Sequence, residues 1–127
     1  MSGRVVHFEI PFDDAERART FYSEAFGWTI NEVPDLNYSF VQTGPTGEGG
    51  FPAEPGYIGG GMVRRASPTD RPVITIDVDD MDAALKKIED LGGTVVLGRQ
   101  DVGDMGWAAY FKDAEGNLMG LWQARRA

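Results

Sequence analysis

Residues Val73–Val96, VITIDVDDMDAALKKIEDLGGTVV, decide how the rest of the chain is read. Ile74, Ile76 and Val78 alternate with Val73, Thr75 and Asp77, the two-residue period of a strand with two different faces. Asp80 then stands where a helix cap belongs, because its carboxylate can accept from the unpaired amides of a first turn. Met81, Ala84, Leu85, Ile88 and Leu91 follow at helical spacing, while Lys86, Lys87, Glu89 and Asp90 fall outside that stripe. Gly92 and Gly93 end the helix, and Thr94 opens another strand.

The same grammar occurs once before, in Val5–Trp28, VVHFEIPFDDAERARTFYSEAFGW. Val6, Phe8 and Ile10 alternate ahead of a double aspartate. Asp13 with Glu16 has capping-box spacing, and Ala18, Phe21, Tyr22, Ala25 and Phe26 form the expected buried stripe before Gly27. Laying Asp14 on Asp80 places His7 on Val73, Glu9 on Thr75 and Pro11 on Asp77. The chain is thus two tandem copies of one module.

Between them, Trp28–Val33 and Tyr38–Thr43 predict two strands around a Pro34–Asn37 turn. The segment 44–56, GPTGEGGFPAEPG, is too rich in glycine and proline for a regular element and is read as a surface loop, either a lid or unstructured. Tyr57–Arg65 predicts a fourth strand, in which Gly59, Gly60 and Gly61 leave room for something to approach the backbone. Strands near Thr94–Asp101, Trp107–Lys112 and Leu118–Gln123, with a turn at Asp113–Asn117, complete the second module. The order is βαβββ twice, an α+β fold in one domain over 1–127, with module 1 at about 4–66 and module 2 at about 72–124. Each sheet is expected to curve, backed by one helix, into a partly open barrel-like cleft.

Bulk properties narrow the function. A net charge of -8 disfavours phosphate backbones and anionic membrane surfaces. The absence of cysteine removes disulfides, thiolate nucleophiles and zinc-thiolate sites, and fits a reducing compartment. The start, MSGRVVHFEI, acquires an acid too early for a signal peptide, and no apolar run reaches membrane-spanning length. A soluble cytoplasmic protein, with no nucleic-acid or membrane partner, is the expectation.

VHFEI before DDAERARTFYSEAFGW, VITIDVDDMDAALKKIEDLGG, and the ending GWAAYFKDAEGNLMGLWQ together resemble the vicinal oxygen chelate superfamily of glyoxalases, bleomycin-resistance proteins and extradiol dioxygenases. The ending is close to that family's F-x-D-P-x-G-N-x-x-E-L-W. The resemblance implies paired βαβββ modules, a cleft within one chain or across a homodimer, and usually a divalent metal. Its ligands would sit on the first and last strand of each module. His7 matches the first-strand position, but the counterpart in the second module is Val73. The closing glutamate falls at Gly120 and, in the first module, at about Gly60. One imidazole with a valine and two glycines is too few donors, since even catalytic zinc uses about three protein ligands. Only Glu9 and Asp77 offer replacements. The expectation is therefore no metal and no cofactor.

Strand parity places His7, Glu9, Thr75 and Asp77 on the concave side, with Gly60, Met62 and Arg64 from the fourth strand and Gly120 and Trp122 from the last. Trp107 or Tyr110 joins them, depending on which face of their strand turns inward. These are the expected ligand-binding residues, and His7 with Glu9 are the candidates for acid–base work. Each has a plainer reading: a hydrogen-bonded strand histidine, solvated carboxylates, an arginine that solubilises the linker, and apolar side chains that pack. A serine triad would need His7 to meet a serine such as Ser39 without any G-x-S-x-G elbow, and the triple glycine precedes no helix. The reading that remains is a metal-free protein binding an apolar or aromatic small molecule. Its alternative is a lyase, isomerase or oxygenase of the same family with an unusual metal site near His7; a partner-binding module is a third.

Overall fold

A computed structural model of the protein describes residues 3–33 and 38–125. It is a mixed α+β fold, and the chain divides into two compact units. One is His7–Pro72; the other is Val73 onward together with the first residues as far as Val6.

The first unit holds most of β1 (Val5–Phe12), then α1 (Ala15–Phe26), β2 (Thr29–Val33), β3 (Tyr38–Gln42) and β4 (Gly60–Arg64). β1 runs parallel to β4, while β4 with β3 and β3 with β2 are antiparallel, giving the order β2-β3-β4-β1. The second unit repeats the plan with β5 (Val73–Asp77), α2 (Met81–Asp90), β6 (Thr94–Asp101), β7 (Gly106–Lys112) and β8 (Leu118–Ala124). β5 is parallel to β8, and the order is β5-β8-β7-β6. The duplicated βαβββ modules expected from the sequence are present. The chain's first residues belong to the second unit because Asp77 N–H donates to Arg4 O at 2.8 Å.

Both helices start on the aspartates that the repeat aligns. Asp80 accepts from Ala83 N–H at 3.1 Å and Asp14 from Arg17 N–H at 3.0 Å. Asp14, not the expected Asp13, is therefore the cap of α1; Asp13 turns away to pair with Arg65 Nε at 3.0 Å. Gly27 ends α1 at φ 75°, a left-handed conformation that costs a glycine little. Asp80→Ala is expected to cost about 1 kcal/mol, the usual worth of an N-cap, checked by urea unfolding.

Each helix packs on one face of its own sheet. Phe12, Val41 and Met62 form the first core, with Phe8, Ile10, Ala15, Ala18, Tyr22, Trp28 and Ile30 against it. The Tyr22 and Trp28 rings stack at 4.8 Å. Met81, Ala109, Phe111 and Leu121 form the second, with Ile76, Val78, Ala84, Leu85, Ile88, Trp107 and Met119 around it. The stripes are narrower than the spacing suggested: Phe21, Phe26 and Leu91 are exposed.

The loop after β3 is built, not unstructured. Thr46 bridges Pro52, Gly47 N–H donates to Phe51 O at 2.8 Å, and the Tyr57 hydroxyl donates to Pro45 O. Tyr57–Gly59 brace this loop, so β4 begins at Gly60 and not at Tyr57. The expected turn at Pro34–Asn37 lies outside the described residues. The Asp113–Asn117 turn forms as expected, its carboxylate accepting from Asn117 N–H and Glu115 N–H, each at 2.9 Å.

Candidate functional site

The helix-free face of the first module carries the most organised polar group among the described residues. His7 and Glu9, two apart on β1, point to the same side. Tyr38 reaches them from β3, although β4 runs between the two strands. Its phenol oxygen lies 3.0 Å from His7 Nε2, and the Glu9 carboxylate acts on the same phenol. The crossing is possible because β4 has Gly61 in that place: a Cβ there would fall on the Tyr38 hydroxyl and ring. The room that the glycine run left is thus filled from within the chain.

The environment sets the protonation states. Burial lowers the His7 pKa, so the imidazole stays neutral at ordinary pH. Burial, then the Glu9 carboxylate and its hydrogen bond, push the Tyr38 phenol well above its usual range. The shift at His7 has a stability consequence. The unfolded chain takes up its proton near 6.5 while the folded chain does not, so stability is full above that pH and is lost as pH falls through the lower folded value. Unfolding free energies at pH 8 and pH 5.5 are expected to differ less in His7→Gln than in the parent.

The strand register corrects the sequence-based placement on β4. Phe8 lies opposite Gly60, Ile10 opposite Met62 and Phe12 opposite Arg64. Paired residues share a face, so all three belong to the helix side. Met62 is buried in the first core, and Arg64 sits 5.4 Å from the centre of the Phe12 ring. On the open face Gly61 lies opposite both Glu9 and Phe40, and Val63 opposite both Pro11 and Tyr38. Phe40 meets the Tyr38 ring edge-on at 5.5 Å and is 39% exposed. Tyr38, Phe40 and Val63 thus belong to this face without having been singled out in the sequence, and Gly61, noted there only as part of the glycine run, lies beneath them.

In the second module, Thr75 pairs with Gly120, Asp77 with Trp122, and Tyr110 with Gly120, which puts these five on one helix-free face. Thr75 and Val73 are buried. The choice between Trp107 and Tyr110 is settled by that register. Trp107 lies on the helix side, packed in the second core with the Arg125 guanidinium 4.2 Å from its ring centre.

Residues 4–44 match the profile described as "Bleomycin resistance protein-like N-terminal". A "Glyoxylase-like domain-containing protein" of Didymella fabae is 30% identical over 125 residues, covering 92% of this chain and 91% of that protein. The chain belongs to the glyoxalase/bleomycin-resistance superfamily of vicinal oxygen chelate proteins. Protein CFP32 of Mycobacterium tuberculosis is 32% identical over 113 residues, 89% of this chain. The anthracycline biosynthesis protein DnrV of Streptomyces peucetius is 26% identical over 139. This chain spans only 42% and 47% of those two proteins, about half their length. Among solved structures, a superfamily member from Vibrio splendidus aligns with TM-score 0.62 at 17% identity, over 97% of this chain and 99% of that one. Methylmalonyl-CoA epimerase from Mycobacterium tuberculosis gives 0.63 at 16%, over 98% and 89%. At such identities these two establish the fold alone.

The superfamily's divalent metal does not fit the donors present. The pairing of Glu9 with Gly61 mirrors that of Thr75 with Gly120, so the first module's closing position is Gly61, one residue beyond the Gly60 expected. Both closing positions are glycine, and each is overlain by a hydroxyl of its own module, Tyr38 in one and Thr75 in the other. Among the described residues no three of His, Cys, Asp and Glu gather closely enough to hold a metal ion. In the same residues no helix is long and apolar enough to cross a membrane.

Proposed function

We propose that this member of the superfamily binds a small, largely apolar or aromatic molecule on the open face of its first module, without a metal held by the protein. The observation that carries the reading is the Tyr38 phenol lying over Gly61. It occupies the space where a chelating carboxylate would project, and its hydroxyl engages His7 instead. The exposed Phe40 ring beside this polar group supplies the mixture of apolar wall and few polar contacts by which small-molecule sites hold and orient ligands. The anthracycline biosynthesis relative makes a polycyclic aromatic compound the natural first probe.

An anthracycline in hundredfold excess over its Kd is expected to stabilise the folded chain by about 2.7 kcal/mol, read as a raised melting temperature in chelator-containing buffer. His7→Ala should reduce the shift. No shift in the parent, together with stoichiometric metal that is lost in His7→Ala, overturns the proposal and favours an enzyme with an unusual metal site. The same reading includes a homodimer, supported by the two phenylalanines that α1 leaves in solvent, Phe21 and Phe26. Light scattering at the mass of one chain would refute that part.

A further inference from the structure

Every residue of the segment 45–56 is exposed, while 42–44 before it and 57–59 after it are half-buried or nearly so. The segment stands clear of the sheet, yet it is folded on itself. Ala53 N–H donates to Pro45 O at 3.0 Å, Gly47 N–H donates to Phe51 O at 2.8 Å, and Thr46 bridges Pro52 between them. These pairs make 45–53 a short finger. Gly49 and Gly50 turn its tip through the left-handed region, at φ 72° and 79°. A Cβ at Gly49 would fall 3.2 Å from the Phe51 ring, so the ring rests on bare backbone, and Phe51 is 72% exposed. Ordered backbone thus holds one phenylalanine out in water.

Each connection from the finger to the sheet contains a glycine, the residue best able to absorb a backbone rotation: Gly44 on one side and Gly56, at φ 112°, on the other. The Tyr57 hydroxyl reaches across that joint to Pro45 O, while the stem beneath it is closed by Thr43 Oγ1 donating to Ile58 O at 2.7 Å. β4 begins at Gly60, opposite Phe8, so the finger springs from the end of the sheet where His7 lies. At about 3.3 Å per residue, Phe51 stands about 10 Å from Gly44, and Phe40 lies about 13 Å from Gly44 back along the chain. Folded back at the glycines, the finger brings the Phe51 ring above Phe40.

We propose that 45–53 is a lid that closes on an aromatic ligand at the open face of the first module, Phe51 covering the ligand ring from outside, with the Tyr57 hydrogen bond latching the open position. The proposal rests on the binding reading above and adds a moving part to it. Closing takes the Phe51 ring out of water, worth about tenfold or more in the equilibrium, and gives up one neutral hydrogen bond, worth about fivefold. A bound ring therefore tips the balance to the closed form, and without one the latch holds.

The test uses the full chain with 2-naphthol, a neutral fluorescent aromatic. Phe51→Ala is expected to weaken its binding about tenfold while leaving the urea midpoint unchanged, since the ring packs on nothing but its own loop in the open form. Tyr57→Phe should strengthen binding by up to about fivefold, because the open position loses its latch. The chain has no cysteine, so Glu48→Cys gives a single attachment point beside the tip for an environment-sensitive fluorophore excited in the visible. Its emission is expected to shift to the blue at saturating 2-naphthol, and to stay in place at saturation when Phe51→Ala is added. Unchanged affinity in Phe51→Ala, or a label whose emission does not move in the Glu48→Cys protein, overturns the lid and leaves the binding reading standing. No binding of 2-naphthol by the parent overturns both.

Discussion

Gly61→Ala is expected to be among the most damaging single changes in the first module, at about 2–3 kcal/mol, the upper range for forcing extra volume into a filled site. The added methyl lands on the Tyr38 hydroxyl and ring, which cannot retreat without giving up the contact with His7. Removing the obstacle should remove the penalty. In a Tyr38→Ala background the same substitution should cost less than about 1 kcal/mol, the difference being the coupling that a double-mutant cycle isolates. Urea unfolding of the four proteins measures it. A cost that is the same in both backgrounds would show that Gly61 is required by the backbone and not by Tyr38.

Met81→Ala is expected to cost about 3 kcal/mol, within the range for emptying a fully buried methionine site. Met81 is 0% exposed and heads the core of the second module. Its backbone N–H also donates to the Gln123 side-chain oxygen of β8 at 2.7 Å, so the first turn of α2 is fastened to the sheet where the cavity would open. Met81→Leu, close in volume, should cost under about 1.5 kcal/mol. Equal losses in the two variants, measured from denaturant midpoints at constant m-value, would contradict a packing origin.

The fold was legible because its signals are local and occur twice. Two strand-and-helix phrases, each with an aspartate cap and a glycine stop, identify the modules without knowledge of any contact. The order of the strands follows from the repeat. Facing was legible only where a strand alternates cleanly, as β1 and β5 do. β4 is glycine-rich and interrupted, so nothing in its composition marks which of Gly60 and Gly61 lies beneath a neighbour. Its parity came only with the pairing of Phe8 to Gly60, and a slip of one residue exchanges the two faces of a strand. Met62 and Arg64 were misplaced for that reason.

Tyr38 went unnoticed because its role depends on three strands at once. It lies 31 residues from His7 and two strands away in the sheet, and only an absent side chain on the strand between lets them meet. The sequence did carry half of the signal, in the glycines read as space for an approaching group. What it lacked was the identity of that group. For Phe21 and Phe26 the reason is geometric: a helix lying on a sheet buries a narrow stripe, and Ala15, Ala18 and Tyr22 already fill it.

The central claim is that this member of a metal-chelating superfamily binds its ligand without a metal held by its own side chains. The most direct measurement is the Kd of 2-naphthol in buffer with chelator and again with excess Zn²⁺, Ni²⁺ or Mn²⁺. The predicted result is the same Kd in every condition. Binding that appears only when a divalent ion is supplied, and disappears with it in His7→Ala, would contradict the claim.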